Sequence, residues 1–506
     1  MTLHDDLLAT LPVGEDSVSI CEPFTGDELA RIPQMSKHEI DQAFSRARQA
    51  QPEWAARSVA DRARTIGRLL DLLYRSREQF YDVLQREGGK ARIDAVYDLA
   101  EALLACRHHV NTATKLLAPQ QHSGPVPCLS QARLVYQPHG VVVVIVPWNF
   151  PVALGADDAL PALIAGNAVI LKADNQTALS LLLMRRFALQ VGIPAEVFQV
   201  VLGNRESIGA ALIDNADYIA FTGSTSAGRE IGRRAGERLI GCSLELGGKN
   251  PMVILPDADL VRAAAALPRV SFANAGQLCM TTERVFVHTS VIDEFTDLAV
   301  KHARKVRLGS GYTFDYDMGS ITTRANFDRL CGYIEQAKAS GATVLTGGRP
   351  RPDIGPQCYE PTILVGATPS ARLHTEEVFG PIAAIYPFGT VDEAIALAND
   401  TAYGLSASIW TRDIKEGMRL GQRIRAGGVN VNDGYTAAFG AHSAPAGGMK
   451  ASGIGRRHGA PGLLRFTEAQ TIGVQRLIAM DSRFGMPRRI HGELVSRSVR
   501  ILQFLR

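Results

Sequence analysis

Cys279 closes the segment Asn274-Ala275-Gly276-Gln277-Leu278-Cys279, and a carboxylate, Glu245, lies upstream in Leu244-Glu245-Leu246-Gly247-Gly248-Lys249. A thiol nucleophile, a separate base and glycine-rich turns around both are components of covalent catalysis. A buried carboxylate with a raised pKa can relay a proton to water. Each residue has an ordinary reading when taken singly. An isolated cysteine is most often a small core residue, and an isolated glutamate a structural acid. The local pattern favours chemistry, because turns hold reactive groups where substrate reaches them.

Two further segments fit the same site. Pro147-Trp148-Asn149-Phe150-Pro151 follows an apolar run, and an asparagine amide there could donate to an oxyanion. Phe221-Thr222-Gly223-Ser224-Thr225-Ser226-Ala227-Gly228 follows a second apolar run and opens a helical pattern. Glycines there let a phosphate approach the backbone, and a helix N-terminus favours an anion. The Gly-x4-Gly spacing differs from GxGxxG, so by itself it also fits an ordinary strand-to-helix turn. Lys172 ends a third apolar run, where it could meet a ribose or phosphate; a solvated lysine is the alternative.

These groups need a scaffold. From about Lys37 to Leu117 the chain reads as helices, with Ser36 and Glu39 spaced as a capping box. Arg133–Gln137 alternates like a strand. Val141–Val146, Ala168–Leu171, Val197–Val201 and Tyr218–Phe221 are short β-branched runs, with Ala178–Val191 and Ile208–Ile213 helical between them. That rhythm predicts a doubly wound parallel sheet. After Gly248 it restarts with Met252–Leu255, Arg284–His288, Thr343–Leu345 and Gly427–Asn432, a second α/β domain.

The 506 residues are enough for two or three domains, and 46% hydrophobic content fits a large core. A net charge of +3 is too slight to argue for nucleic acid. The seven cysteines form no close-spaced framework, and no CxxC or Cys/His cluster marks a metal site. A reducing cytoplasm is the expected location. The uncharged stretch Gly140–Ala156 is too short to span a bilayer and holds Pro147 and Pro151, so it reads as a buried strand entering a turn. The end of the chain is basic: seven arginines lie between Arg476 and Arg506, against Asp481 and Glu493. Glu493–Arg506 could form an amphipathic helix that packs on the protein, rests on an anionic membrane surface, or covers a neighbouring subunit's tunnel.

From about Glu22 to Gln475 the motifs, in their order, resemble the aldehyde dehydrogenase superfamily, in the look of its bacterial NADP-type succinate-semialdehyde branch. Val429-Asn430-Val431-Asn432 and the stretch Gly448–Gly459 carry that nearer likeness. The resemblance implies an α/β fold of two doubly wound domains and a small β oligomerisation arm. Residues 1–122 and 139–247 would bind NAD(P), 248–447 would be catalytic, 123–138 and 466–478 the arm, and 479–506 the basic tail. It implies oxidation of an aldehyde to its acid, with Cys279 as nucleophile, Glu245 as general base, and Asn149 with the Cys279 N–H as oxyanion hole. Glu377-Val378-Phe379-Gly380-Pro381 resembles the motif whose acid binds the nicotinamide ribose and whose Phe lies near the ring. Trp148, Lys172, Gly223 and Ser224 match cofactor-contact positions. Leu246 is similar to the residue whose backbone meets the nicotinamide amide. Family members are dimers or tetramers in which a β-arm extends a neighbour's sheet.

In NAD-preferring relatives the position after Asp174 is often Glu, which repels a 2′-phosphate. Here it is Asn175, neutral and able to donate, so NADP is the expected cofactor and NAD the alternative. Asp174 would oppose the phosphate if it faced the pocket. The substrate readings conflict. The resemblance points to succinate semialdehyde, yet the arginines that hold its distal carboxylate in relatives are replaced by Ala273 and Asp157, and a carboxylate-binding serine falls near Gly440. An unpaired carboxylate in an apolar pocket costs several kcal/mol, which favours a neutral apolar aldehyde. A cysteine hydrolase, with His442 as the histidine to examine, and a non-catalytic relative are the competing classes.

Overall fold

The computed structural model describes residues 3–11, 16–124, 130–368, 371–476 and 484–503. Ser36 and Glu39 form the capping box: the Ser36 side chain accepts from the Glu39 N–H, and the Glu39 carboxylate accepts from the Ser36 N–H at 2.7 Å. Helices Lys37–Ala56, Val59–Arg75, Arg77–Gly88 and Arg92–Leu116 follow.

The first large sheet has six strands, in the spatial order Gly453–Ile454, Gly241–Glu245, Tyr218–Thr222, Val141–Ile145, Ala168–Lys172 and Phe198–Val201. The five longer strands are parallel, and the short Gly453–Ile454 edge is antiparallel. Val141, Val142, Val143 and Val144 are each 0% exposed, as a parallel sheet covered by helices on both faces requires. The chain moves outward from Val141–Ile145 in one direction, then returns to build the other half. Its switch point lies between Val141–Ile145 and Tyr218–Thr222. The crevice beyond the carboxyl ends of strands at such a point is where open α/β sheets bind ligands. The Pro147–Pro151 turn, Lys172, Gly223 and Leu246 all follow those ends.

The second sheet has seven strands, in the order Thr343–Thr346, Thr362–Val365, Ile382–Phe388, Thr282–His288, Asn250–Ile254, Ser406–Trp410 and Gly428–Val431. Only Thr343–Thr346, at the edge, runs antiparallel. A separate core of Met252, Val285, Phe286, Ile385 and Trp410 lies around it.

Three features depart from the expected boundaries. The arm is a three-stranded antiparallel sheet, and its edge strand Gln120–Ser123 pairs with Ser130–Pro138 from Gln120 onward, so it begins before residue 123. Residues 453–454 lie past 447, yet they extend the first sheet by pairing with Leu244 and Glu245. The C-terminal helix runs from Arg488 to Leu502, starting before Glu493, and Ile490, Leu494 and Val499 on it stay about half exposed. It therefore does not bury its apolar face on this chain. Residues 477–478 of the expected arm and 479–483 and 504–506 of the tail lie outside the described residues. No helix among the described residues is long and apolar enough to cross a membrane.

Candidate active site

A cavity of about 470 Å³ opens between the two sheets, and Asn149, Glu245, Leu246 and Cys279 all line it. Residues as far apart in sequence as Asn149 and Cys279, 130 positions, thus share one wall.

The loop before Cys279 is under backbone constraint. Asn274 and Ala275 have φ of 50° and 55°, a left-handed region that non-glycine residues rarely occupy. Gly276 follows at φ 72°, and a Cβ on it would lie 2.0 Å from the Gly380 carbonyl oxygen. Polar contacts hold the bend in place. Asp94 Oδ2 accepts the Asn274 N–H at 3.0 Å, and the Gln277 amide nitrogen donates to Asn274 O at 3.0 Å. Gln277 Oε1 accepts the Thr322 N–H at 3.0 Å. Such strain persists where surrounding structure over-determines it, typically at functional sites.

Asn149 is tied to this loop. Its Nδ2 donates to Gln277 O at 2.9 Å, and its carbonyl accepts from Lys90 Nζ at 2.7 Å, which also pairs with Asp98 at 2.7 Å. Glu245 is buried, and its Oε1 has no hydrogen-bond partner among the described residues. Burial pushes its carboxyl up to about 7, with Arg457 and Arg465 opposing. The Cys279 thiol is pushed up to about 12 by burial, then by Glu377 and Glu245. A carboxyl near 7 is ionised in a large share of molecules at neutral pH and can then accept a proton from water.

The expected cofactor residues form a second group at the sheet's carboxyl edge. Ser224 caps the helix Thr225–Arg238, its Oγ accepting from the Ala227 N–H at 3.3 Å. Gly223 precedes that N-terminus, where a phosphate is favoured. The Trp148 and Phe379 rings meet edge to face, centroids 5.5 Å apart. Phe379 has φ 58°, held because Glu283 accepts the N–H groups of both Val378 and Phe379 at 3.0 Å. Glu283 is itself fixed by a buried ion pair with Lys249. Glu377 accepts the Gly248 N–H at 2.9 Å, and a Cβ on Gly247 would lie 2.4 Å from its carboxylate. Burial and the neighbouring Glu283 push the Glu377 carboxyl up to about 7. The Leu246 N–H is used by Ser452 O at 2.9 Å, which leaves its carbonyl as the backbone group it can offer.

Near the adenosine end expected for a dinucleotide, the Lys172 amine has no hydrogen-bond partner among the described residues, and burial lowers its pKa against the opposing charge of Asp174. Asp174 Oδ1 accepts the Gln176 N–H at 3.0 Å, capping the short helix Asn175–Thr177. The expectation that Asn175 offers a donor is corrected. Its Nδ2 already donates to Gln34 Oε1 at 3.1 Å and Asn204 Oδ1 at 3.2 Å, while Oδ1 is buried and unpartnered. A helix N-terminus, a lysine amine without a hydrogen-bond partner among the described residues, an acid on a glycine turn and an aromatic pair together fit a nicotinamide dinucleotide.

Several residues of the cavity were not singled out from the sequence: Tyr97, Glu101, Arg269, Tyr435 and Arg457. Arg457 is fully engaged, donating to both oxygens of Asp158 at 3.0 and 2.6 Å. Glu101 accepts from His442 at 3.0 Å and pairs with His458 at 3.4 Å. One ligand atom from each of these three lies within 4.8 Å of the others, a grouping that could share a cation, though here the contacts are hydrogen bonds. Burial opposes a proton on His458, but Asp157 and Glu101 raise its pKa to about 9. Asp157 is buried and sits 3.5 Å from His458; it is not part of the cavity wall, and neither is Ala273. Its sequence position predicts a place beside the substrate, but Asp157 lies behind the wall, against His458.

The hydrolase alternative has no support in this arrangement. His442 is committed to Glu101, and among the described residues no histidine lines the cavity beside Cys279.

Comparison with known proteins accords with this geometry. Residues 12–472 match the model of the aldehyde dehydrogenase family. A protein of Mycolicibacterium smegmatis named "Putative succinate-semialdehyde dehydrogenase (NADP+)" is 44% identical over 484 residues, 96% of this chain and 94% of that protein. The 2-aminomuconic semialdehyde dehydrogenase of Danio rerio is 33% identical over 470 residues, 90% of this chain and 94% of that one. A solved structure of Staphylococcus aureus betaine aldehyde dehydrogenase with NAD+ superposes with a TM-score of 0.89 at 27% identity, covering 96% of this chain and 99% of that chain. The chain belongs to the aldehyde dehydrogenase family and is an NAD(P)-dependent enzyme of aldehyde oxidation.

Proposed function

We propose that Cys279 is the nucleophile of this oxidation, Glu245 its general base and Asn149 an oxyanion donor. The observation that carries this reading is their shared wall in one cavity, with Glu245 held near neutrality by burial. Cys279 gives its proton to water and its sulfur forms a bond to the aldehyde carbon, while the carbonyl π electrons move onto oxygen. The second hydrogen of Asn149 Nδ2 and the Cys279 N–H stabilise that oxygen. Bound NAD(P)+ supplies the acceptor for the hydride that leaves the carbon. Glu245 then takes a proton from water, the hydroxide adds to the resulting thioester, the C–S bond breaks to release the acid, and Glu245 returns its proton to the departing thiolate.

Glu377 and Phe379 position the ribose and ring, Trp148 backs Phe379, and Gly223 and Ser224 receive the pyrophosphate at a helix N-terminus. We assign NADP as the preferred cofactor. The unpaired Lys172 amine, the absence of a carboxylate at Asn175 and the turning of Asp174 into a cap support this, as does the name of the Mycolicibacterium relative. Two relatives are named for semialdehydes, and a semialdehyde, specifically succinate semialdehyde, is the substrate we favour. The arm, with Ile472 and Val474 about half exposed on its edge strand, is the surface through which copies would assemble as dimers or tetramers. The six described cysteines are free, which suits the cytoplasm.

The test separates the two half-reactions. Cys279→Ala should bind cofactor without oxidising aldehyde. Glu245→Gln should give one burst of reduced cofactor and then stall. Steady turnover in the glutamine variant would remove Glu245 from its assigned role.

A further inference from the structure

An aldehyde that also carries a carboxylate needs a donor set beyond the reacting end of the cavity. The expected positions do not supply it, since Ala273 and Asp157 are buried outside the wall. Of the charged groups on the wall, Glu245 serves the reaction, Glu101 is paired with His442 and His458, and Arg457 is held by Asp158. Arg269 differs.

Arg269 lies on the helix Leu260–Phe272, directly before the loop that carries Cys279. Its Nη1 donates to Asp94 Oδ1 at 2.6 Å, and this is its only hydrogen bond to protein among the described residues. Asp94 is fully buried and also accepts the Asn274 N–H, so it fixes the guanidinium relative to the nucleophile loop. The guanidinium carbon stands 4.3 Å from the Tyr97 ring centroid, which orients the planar group further. Its side chain remains 40% exposed, so its other donors stay accessible. Tyr435 completes the set. Its hydroxyl is buried with no partner among the described residues, and burial keeps it protonated, pushed up to about 12. Tyr97, Arg269 and Tyr435 line the same cavity as Cys279.

We propose that Arg269 and Tyr435 bind the distal carboxylate of an aliphatic oxo acid whose aldehyde faces Cys279. The planar guanidinium, with most of its donors unused, matches a carboxylate geometrically, and the Tyr435 hydroxyl gains the partner it lacks. Tyr97 and Asp94 are positioning residues. The assignment rests on the reading of Cys279 as nucleophile and adds the group that selects the substrate.

The experiment compares kcat/KM for succinate semialdehyde and for butanal, a neutral aldehyde of equal chain length, in the wild-type enzyme with NADP+. The wild type should prefer the semialdehyde. Arg269→Gln should lower the semialdehyde-to-butanal ratio about 10- to 100-fold, the loss expected for hydrogen bonds to a charged group. Tyr435→Phe should lower it less, about fivefold, the loss of one hydrogen bond near 1 kcal/mol. It also keeps the proposal testable if the glutamine variant misfolds. Arg269→Lys, which keeps charge but not the planar fork, should fall between wild type and glutamine. An unchanged ratio in both Arg269→Gln and Tyr435→Phe would overturn the assignment, as would equal losses on both aldehydes, which would mark Arg269 as support for the Asn274 loop. Wild-type preference for butanal would overturn it while leaving aldehyde oxidation intact. No reduction of cofactor with either aldehyde would instead sink the underlying reading of the site.

Discussion

Asn149 Nδ2 donates to the Gln277 carbonyl at 2.9 Å, and Asn274 Nδ2 reaches that same carbonyl at 3.3 Å. The turn after the first strand and the loop before the nucleophile are thereby locked to each other. One Asn149 hydrogen is used in the lock, and the other remains for an oxyanion. Asn149→Ala should therefore lower kcat by about 10²- to 10³-fold, the cost of one oxyanion donor. Cofactor affinity, read by fluorescence titration, should be retained. A loss under threefold would show that the Asn149 amide acts only as a lock.

The second prediction concerns pH. Glu245, raised to about 7 by burial, works as a base only when ionised. Where thioester hydrolysis limits turnover, kcat should rise as pH increases through about 7 and level off above it. Below that point the base is protonated, and kcat should fall about tenfold per pH unit. The pre-steady-state burst should not share this limb if it reports only steps before hydrolysis. A steady-state kcat that stays flat from pH 6 to about 8 would contradict the assignment.

Gly447 gives an independent handle on the same carboxylate. Its φ is 151°, and a Cβ built there would stand 2.9 Å from Glu245 Oε1. Gly447→Ala should shift the base without removing it. Hydrolysis should slow by about 10- to 100-fold, the scale of a small misplacement of a reacting group. Rapid-mixing measurement of reduced cofactor should still show a burst. Loss of the burst together with turnover would mean the substitution disturbs more than Glu245.

Much of this site was legible because its residues sit in short, patterned segments. Val141–Ile145, Ala168–Lys172 and Tyr218–Thr222 are dense in β-branched and apolar residues, and the groups that follow them had to emerge at one sheet edge. The second sheet was harder to read. Thr362–Val365, Ile382–Phe388 and Ser406–Trp410 were not singled out; the first is only four residues long, and the other two include alanine, proline or serine, with little period to mark them. The supporting polar groups were hidden for another reason. Glu283 holds the backbone of Val378 and Phe379, which lie 95 and 96 residues on, and Asp94 reaches Arg269 across 175 residues. No local pattern reports such pairs. Asp157 shows the opposite failure. Its place in the sequence matched a pocket position, while its helix turned it inward toward His458.

Cofactor choice tests the adenosine end of the site. The Lys172 amine has no hydrogen-bond partner among the described residues, and the Asp174 carboxylate near it is occupied as a helix cap. A 2′-phosphate would meet the Lys172 amine, with the nearby Asp174 carboxylate committed to its helix cap. Lys172→Met should weaken NADP+ by about 10- to 100-fold, the loss of a charge-assisted hydrogen bond, and NAD+ much less. Asn175→Glu reverses the electrostatics from the other side. It places a carboxylate beside the phosphate and should shift the NADP+/NAD+ ratio of kcat/KM by about tenfold or more toward NAD+, the scale of one like-charge contact near the surface. Both ratios are read from initial rates with one aldehyde held at saturation. If Lys172→Met weakened both cofactors equally, the lysine would serve the ribose they share, and the preference for the phosphorylated form would need another source.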